Sequence, residues 1–309
     1  MNCSKDAENL PRRFTDYAHI RQALLDRMKN DGQYSPKTIL HMEWDTRLAE
    51  RFLGGMSLYD LSADDLKKIA RNMAKSGLAV ATQKDYIFAL KQMLKLIGNP
   101  AWQAHIQFQA DTRPHVDWLS PEDARKVLDS EVITPTQHLV IVLALCMGLR
   151  KVEIAHLRTQ DLNVTNEYIT VLGKGRAGGK LRLVPFHKRF LPALDRYLGV
   201  RGNIILKARN DPPDELILWL DRQDRMARPY EAVKGSGLDC MIRRASKSIG
   251  VKFSAHTLRR TFGRLLWLSG VPVVTIAKIL GHSSTEQTLE YIGANLDDMT
   301  DAMHQLSLQ

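Results

Sequence analysis

The residues best suited to chemistry lie between Ser254 and Tyr291, where the chain reads SAHTLRRTFGRLLWLSGVPVVTIAKILGHSSTEQTLEY. This stretch carries His256, the pair Arg259 and Arg260, His282 and Tyr291. A guanidinium binds two phosphate oxygens in a planar fork that a lysine cannot match. An imidazole can donate to the same phosphate or orient a proton transfer. A tyrosine hydroxyl, with an ordinary pKa of about 10, attacks phosphorus only among cations and beside a base. Taken singly, a histidine after a glycine is a cap or a core partner, and a tyrosine near a helix end is packing. The joint pattern points elsewhere: His-x-x-Arg, then Leu-Gly-His-Ser, then a tyrosine nine residues after the second histidine.

Three short helices must position these groups. Ser254 serves as N-cap for the first, whose apolar residues Leu258, Phe262, Leu265 and Leu266 fall at helical spacing before a stop near Gly270. His256 and Arg259, three apart, project from one face. Val271 and Pro272 open a second helix, with Val274 and Ile279 as packing residues and Gly281 as its stop. Ser284 and Gln287 form the pattern of a capping box for a third helix, which carries Tyr291.

On these residues the chain resembles the tyrosine recombinase, or phage integrase, family. Two upstream segments extend the resemblance. Cys146–Leu157, CMGLRKVEIAHL, is similar to the family box bearing its first catalytic arginine, here Arg150, with an acid three residues on, here Glu153. Residues 169–186, ITVLGKGRAGGKLRLVPF, resemble the family's β-hairpin with its mobile lysine; Lys174 is assigned that place over Lys180. The turn from Gly175 to Arg182 is two or three residues longer than the family's commonest form. Order, spacing and local context agree over roughly residues 118–295.

The resemblance implies a division of labour. Arg150, Arg259 and His282 would bind the scissile phosphate and the charge that builds on it. Tyr291 would be the nucleophile, His256 a base or orienting group, and Lys174 the general acid that protonates the leaving 5′ oxygen. Glu153 would hold Arg150 or a neighbouring base in position. The product would be a 3′-phosphotyrosyl link, resealed by a partner strand's hydroxyl without cofactor or metal. No Asp and Glu arrangement resembles a two-metal nuclease, and no Walker-type phosphate loop is present. The expected substrate is double-stranded DNA, with a homotetramer working on two sites. A type IB topoisomerase and a catalytically silent DNA-binding relative are the alternatives. Integration or excision of a mobile element and resolution of chromosome dimers stay open.

Composition bounds this picture. A formal charge of +10 on 309 residues attracts a polyanion. Cys3, Cys146 and Cys240 are too few and too scattered for a disulfide framework or a zinc site, which fits a reducing, cytoplasmic setting, and the resemblance implies association with the nucleoid. Leu139–Leu149, the longest apolar run, is too short for the roughly 20 residues of a membrane helix. No secretory signal is visible, because residues 1–13 are polar and charged.

The expected fold is mainly α with a small β-hairpin sheet, in a two-domain recombinase architecture. Residues 1–13 read as a disordered tail. A helical core-binding bundle follows over 14–98, in four helices with Trp44 among its packing residues. Lys67, Lys68, Arg71, Lys75, Lys84 and Lys91 line its outer faces, and by resemblance it would close with the second domain as a clamp on DNA. A linker spans 99–117, and an α+β catalytic domain spans 118–295. Within the latter, His138–Met147 and Arg189–Leu198 read as helices, Glu215–Leu220 as a short strand, and Glu231–Ile249 as a helix. Residues 296–309 read as a C-terminal helix with Leu296, Met299, Met303 and Leu306 as its apolar stripe, packing on its own domain or on a neighbouring protomer. The lack of a further N-terminal domain implies a simple recombinase.

Overall fold

The structure, a computed structural model, describes residues 17–108, 117–173, 180–205, 213–219 and 231–293. The chain divides into two units, residues 1–114 and 115–309. No helix among the described residues is long and apolar enough to cross a membrane.

Local capping and periodicity build the first unit. Its helices are α1 (Tyr17–Asn30), α2 (Pro36–Ala49), α3 (Ala63–Lys75) and α4 (Val80–Leu96). Ser35 caps α2 by accepting from the Thr38 N–H, and Ser62 with Asp65 makes the reciprocal box that starts α3. The core is drawn from Ile20, Leu24, Leu25 and Met28 of α1, Leu66, Ile69 and Met73 of α3, and Tyr86, Leu90, Met93 and Leu94 of α4. In α2 one expected packing residue is misplaced: Trp44 is 59 % exposed, whereas Ile39 and Leu48 pack on the core partly buried and Met42, Thr46 and Ala49 are buried. Small side chains let α2 approach its neighbours closely, and Thr46 tolerates burial by donating its hydroxyl to the Met42 carbonyl at 2.8 Å. Asn99, read as the start of a linker, donates its amide to the carbonyls of Leu58, Tyr59 and Leu61. Trp102, Ile106 and Phe108 pack on the same core.

The second unit contains α5 (Pro121–Leu128), α6 (Pro135–Leu145), α7 (Lys151–Ala155), α8 (Phe190–Ile205), α9 (Gly235–Ile249), α10 (Ala255–Leu268), α11 (Val273–Leu280) and α12 (Thr285–Ile292). Helix α6 starts at a Thr134–Gln137 capping box and buries Leu139 to Leu145 without a break, so it is the centre of the core. An antiparallel meander, β1 (Leu162–Asn163), β2 (Tyr168–Leu172) and β3 (Leu181–Pro185), packs at its edge. Its register pairs Ile169 with Val184, Val171 with Arg182 and Leu172 with Leu181. Paired residues share a face, so Arg182 points inward with Ile169, Val171 and Val184.

Two expectations fail here for packing reasons. The segment from Glu215 makes only isolated bridges, Arg158 with Glu215 and Leu218 with Ala232. Leu216, Ile217 and Leu218 are all buried, and the Tyr197 hydroxyl donates to the Leu216 carbonyl while accepting from the Leu218 N–H, taking groups that a partner strand would use. Helix α11 begins one residue later than its sequence suggests, with Pro272 outside as N-cap. Ile276, Ala277 and Leu280 are buried and Ile279 packs against the core as expected, while Val274 is exposed. Helix α9 starts at Gly235, and residues 206–212, 220–230 and 294–309, including the expected C-terminal helix, lie outside the described residues.

Candidate active site

Arg150 reaches the site because a helix ends abruptly before it. Helix α6 stops at Cys146, and Gly148 turns the chain at φ +64°, a left-handed conformation that disfavours side chains. A Cβ there would also lie 2.4 Å from the Phe262 ring. Arg150 then forms the N-cap of α7, and its backbone N–H donates to Glu153 Oε2 at 2.7 Å.

Glu153 is the hub. Its side chain is 4 % exposed and is met by three guanidinium groups. Arg150 donates Nη1 to Oε1 at 2.9 Å. Arg182 donates Nη1 to Oε1 and Nη2 to Oε2, both at 2.8 Å. Arg259, 3 % exposed, stands 3.7 Å from Oε2. Burial works against the Glu153 charge, but the Arg182 hydrogen bonds and charge, with help from Arg150 and Arg259, hold its carboxyl below the usual range. One carboxylate against three guanidinium groups leaves a cationic surplus facing any incoming phosphate.

Beside this cluster stands Tyr291 on α12. The His256 ring from the first turn of α10 meets it edge-on at 5.2 Å between centroids, and the His282 ring does so at 4.9 Å. The guanidinium carbons of Arg260 and Arg259 lie 5.5 and 5.9 Å from its centroid. The hydroxyl oxygen is buried, and no neighbour among the described residues meets full hydrogen-bond geometry with it. Burial raises the Tyr291 pKa, and the nearby Arg259, Arg260 and Arg150 charges oppose that rise.

His282 follows the left-handed Gly281 that closes α11. Its Nδ1 lies 2.9 Å from Thr288 Oγ1, and Thr288 in turn lies 3.2 Å from the Ser284 carbonyl. The expected capping box at Ser284 is half made: Ser284 accepts from the Gln287 N–H, while the Gln287 side chain accepts from Ser283. Burial, then the Arg259, Arg150 and Arg182 charges, push the His282 pKa down to about 4. His256 is lowered by burial and by Arg260 and Arg259. Both rings are neutral near pH 7. Burial beside Arg150 brings even Arg259 down to about 10.

Five of the six expected chemical groups, Arg150, His256, Arg259, His282 and Tyr291, thus converge with Glu153. Lys174 lies outside the described residues. Lys180 is described and exposed, and its carbonyl accepts from the Gly173 N–H at 2.9 Å. Arg182 and Thr288 were not anticipated. Arg182 carried a signal in its position, because it is a cation at an inward position of a strand, a placement that requires a partner. Thr288 carried none beyond its polar type.

Such a constellation can bind one phosphodiester oxygen pair through guanidinium forks, and it holds a phenol and two imidazoles against that phosphate. The chain matches the model of the phage integrase family over residues 118–297. It is 25 % identical over 312 residues to the tyrosine recombinase XerD of Rhizobium meliloti, covering 93 % of this chain and 96 % of that protein. It is 23 % identical over 257 residues to the tyrosine recombinase XerA of Pyrococcus horikoshii, covering 81 % and 82 %. Among solved structures, the Tn1549 transposon integrase in complex with a circular intermediate DNA superposes with a TM-score of 0.68 at 21 % identity, covering 93 % of this chain and 99 % of that one. A lambda integrase dimer bound to a core site gives 0.65 at 17 % identity, covering 88 % and 76 %.

Proposed function

The chain belongs to the phage integrase family and is a tyrosine recombinase, an enzyme that cleaves and rejoins DNA strands; we propose that Tyr291 is its nucleophile. The observation that carries this reading is the placement of the Tyr291 ring between His256 and His282 beside the Arg259 guanidinium.

The chemistry follows from the geometry. A phosphodiester repels nucleophiles by its charge, and attack concentrates charge on the non-bridging oxygens. Arg150, 26 % exposed, and Arg259 would take those oxygens, each guanidinium keeping N–H groups beyond those given to Glu153 and the backbone. A bound phosphate adds negative charge beside His282 and raises its pKa, so the ring gains a proton and Nε2 becomes a donor. Neutral His256 would take the Tyr291 proton. The oxygen then attacks phosphorus, the 5′ oxygen leaves with a proton from the hairpin lysine, Lys174, and a 3′-phosphotyrosyl link remains. A second strand's 5′ hydroxyl reverses these steps. Burial raises the Tyr291 pKa, so the hydroxyl is protonated near pH 7 and needs a base.

The substrate is double-stranded DNA, and a homotetramer would exchange strands between two sites. Its place in the cell would be at the nucleoid, acting on a mobile element or on chromosome dimers. Recombinase relatives along most of the chain favour this reading over a monomeric topoisomerase. Covalent trapping tests it. Labelled duplex fragments of the source replicon are incubated with protein and denatured, and a protein-linked band is expected with wild type and not with Tyr291→Phe. A band that persists in Tyr291→Phe would remove Tyr291 from the role.

A further inference from the structure

Three consecutive carbonyls end α11, and each accepts from a different arginine. Arg182 Nε donates to Ile279 at 2.8 Å, Arg259 Nη2 to Leu280 at 2.5 Å and Arg150 Nη2 to Gly281 at 2.9 Å. Carbonyls at a helix C-terminus lack partners within the helix and carry the negative end of its dipole, so cations belong there. The same three arginines surround Glu153. Helix end and carboxylate are therefore tied into one unit, directly before His282.

Within that unit Arg182 differs from the other two. Its guanidinium meets both oxygens of Glu153 in a fork-to-fork pair, whereas Arg150 reaches one with its side chain and the other with its backbone N–H; the Arg182 side chain is 10 % exposed. A Cβ on Gly281 would lie 3.1 Å from its side chain, so the guanidinium lies flush against the turn that presents His282. Nε and one hydrogen on each terminal nitrogen are already committed. Arg182 is built to hold the site, whereas Arg150 is open to a ligand.

We propose that Arg182 is a positioning residue of the strand-transfer site: it clamps Glu153 to the carbonyl end of α11, so that Arg150, Arg259 and His282 meet one phosphate without rearrangement. The inference rests on the strand-transfer reading above. It requires a planar fork and not merely a charge, because a lysine cannot span two carboxylate oxygens and the Ile279 carbonyl together.

The test compares wild type, Arg182→Lys and Arg182→Gln on labelled duplex carrying a cleavage site mapped with wild type. Measurements are single-turnover adduct formation across pH, duplex affinity, and the folded fraction by circular dichroism at the assay temperature. Arg182→Lys is expected to bind duplex within about threefold of wild type and to form adduct about 100-fold more slowly, with the pH profile in place. Arg182→Gln removes a cation that faces His282 together with Arg150 and Arg259, against Glu153. Its profile is therefore expected to move to higher pH as well, which a loss of folding alone would not produce. Adduct formation by both variants within about threefold of wild type, or a loss that only tracks the unfolded fraction, would overturn the positioning role. No adduct with wild type on any fragment would overturn the strand-transfer reading itself, and with it any part for Arg182 in that reaction.

Discussion

His282 Nδ1 and Thr288 Oγ1 stand 2.9 Å apart, and the Thr288 hydroxyl is itself within 3.2 Å of the Ser284 carbonyl. A hydroxyl has one proton to give, and a carbonyl can only accept it. When Thr288 gives its proton to the Ser284 carbonyl it accepts from His282, which places the imidazole proton on Nδ1 and leaves Nε2 as a lone pair in the neutral ring. In that tautomer Nε2 donates to a phosphate only after the ring takes up a second proton.

Thr288→Val should expose the value of this contact. Valine keeps the shape but leaves the Nδ1 proton without an acceptor, costing about 1–3 kcal/mol of stability. Adduct formation should fall about tenfold as ring orientation is lost. Thr288→Ser should recover most of both. Urea unfolding and single-turnover cleavage measure the two effects, and equal behaviour of the valine and serine variants would refute the relay.

DNA binding should be coupled to proton uptake. The His282 pKa is about 4 in the free protein, and a phosphate beside it raises that value, so binding near pH 6 draws a proton from solution. Affinity should then fall as pH rises from 6 to 8. Calorimetry in buffers of different ionisation enthalpy counts the protons. His282→Gln should abolish most of the uptake.

Acid should weaken the fold from an unusually high pH. In the unfolded chain His256 and His282 titrate near 6.5, while in the folded chain both are depressed. Between those values the unfolded state binds more protons, so stability is complete above about pH 6.5 and declines as pH falls toward 4. Glu153, also depressed, adds stability present above its unfolded value of 4.5 that is lost as pH falls through its folded one. Glu153→Gln should lose about 3–5 kcal/mol at pH 7, because three arginines are left without their anion. It should also show a shallower decline below pH 4.5. Denaturant titrations at a series of pH values decide this, and a wild-type stability unchanged from pH 7 to 5 would contradict the histidine contribution.

Gly148→Ala should damage both fold and site. A methyl at φ +64° costs about 1 kcal/mol in backbone strain, and its clash with Phe262 adds about 1–3 kcal/mol. The Gly148 carbonyl accepts from the Arg259 guanidinium, so a shift of the turn also moves that group. Thermal unfolding with duplex-binding assays should register both losses. Gly250→Ala, at another left-handed glycine with nothing within 4 Å of its Cβ, serves as the strain-only control.

The amino-acid sequence by itself determined the local elements. Ser35, Ser62 and Ser254 start helices where their side chains can accept a backbone N–H, and the apolar repeats of α1, α3 and α4 select their buried faces. Caps and 3.6-residue periodicity act within a few residues, so they are legible without a fold. Arg150, His256, Arg259, His282 and Tyr291 were singled out through the resemblance that their joint pattern carries, and the fold brings these five together around Glu153. What only the tertiary structure decided is where distant side chains meet. Arg182 reaches Glu153 across 29 residues and Ile279 across 97, and Arg259 reaches Gly148 across 111. Such pairs leave no local pattern, because each depends on how β3, α7 and α11 pack around α6. Packing likewise turned Trp44 and Val274 outward and replaced a strand at Leu216–Leu218 with bonds to the Tyr197 hydroxyl. Periodicity says that a face is buried, but the volume available beside it decides which one.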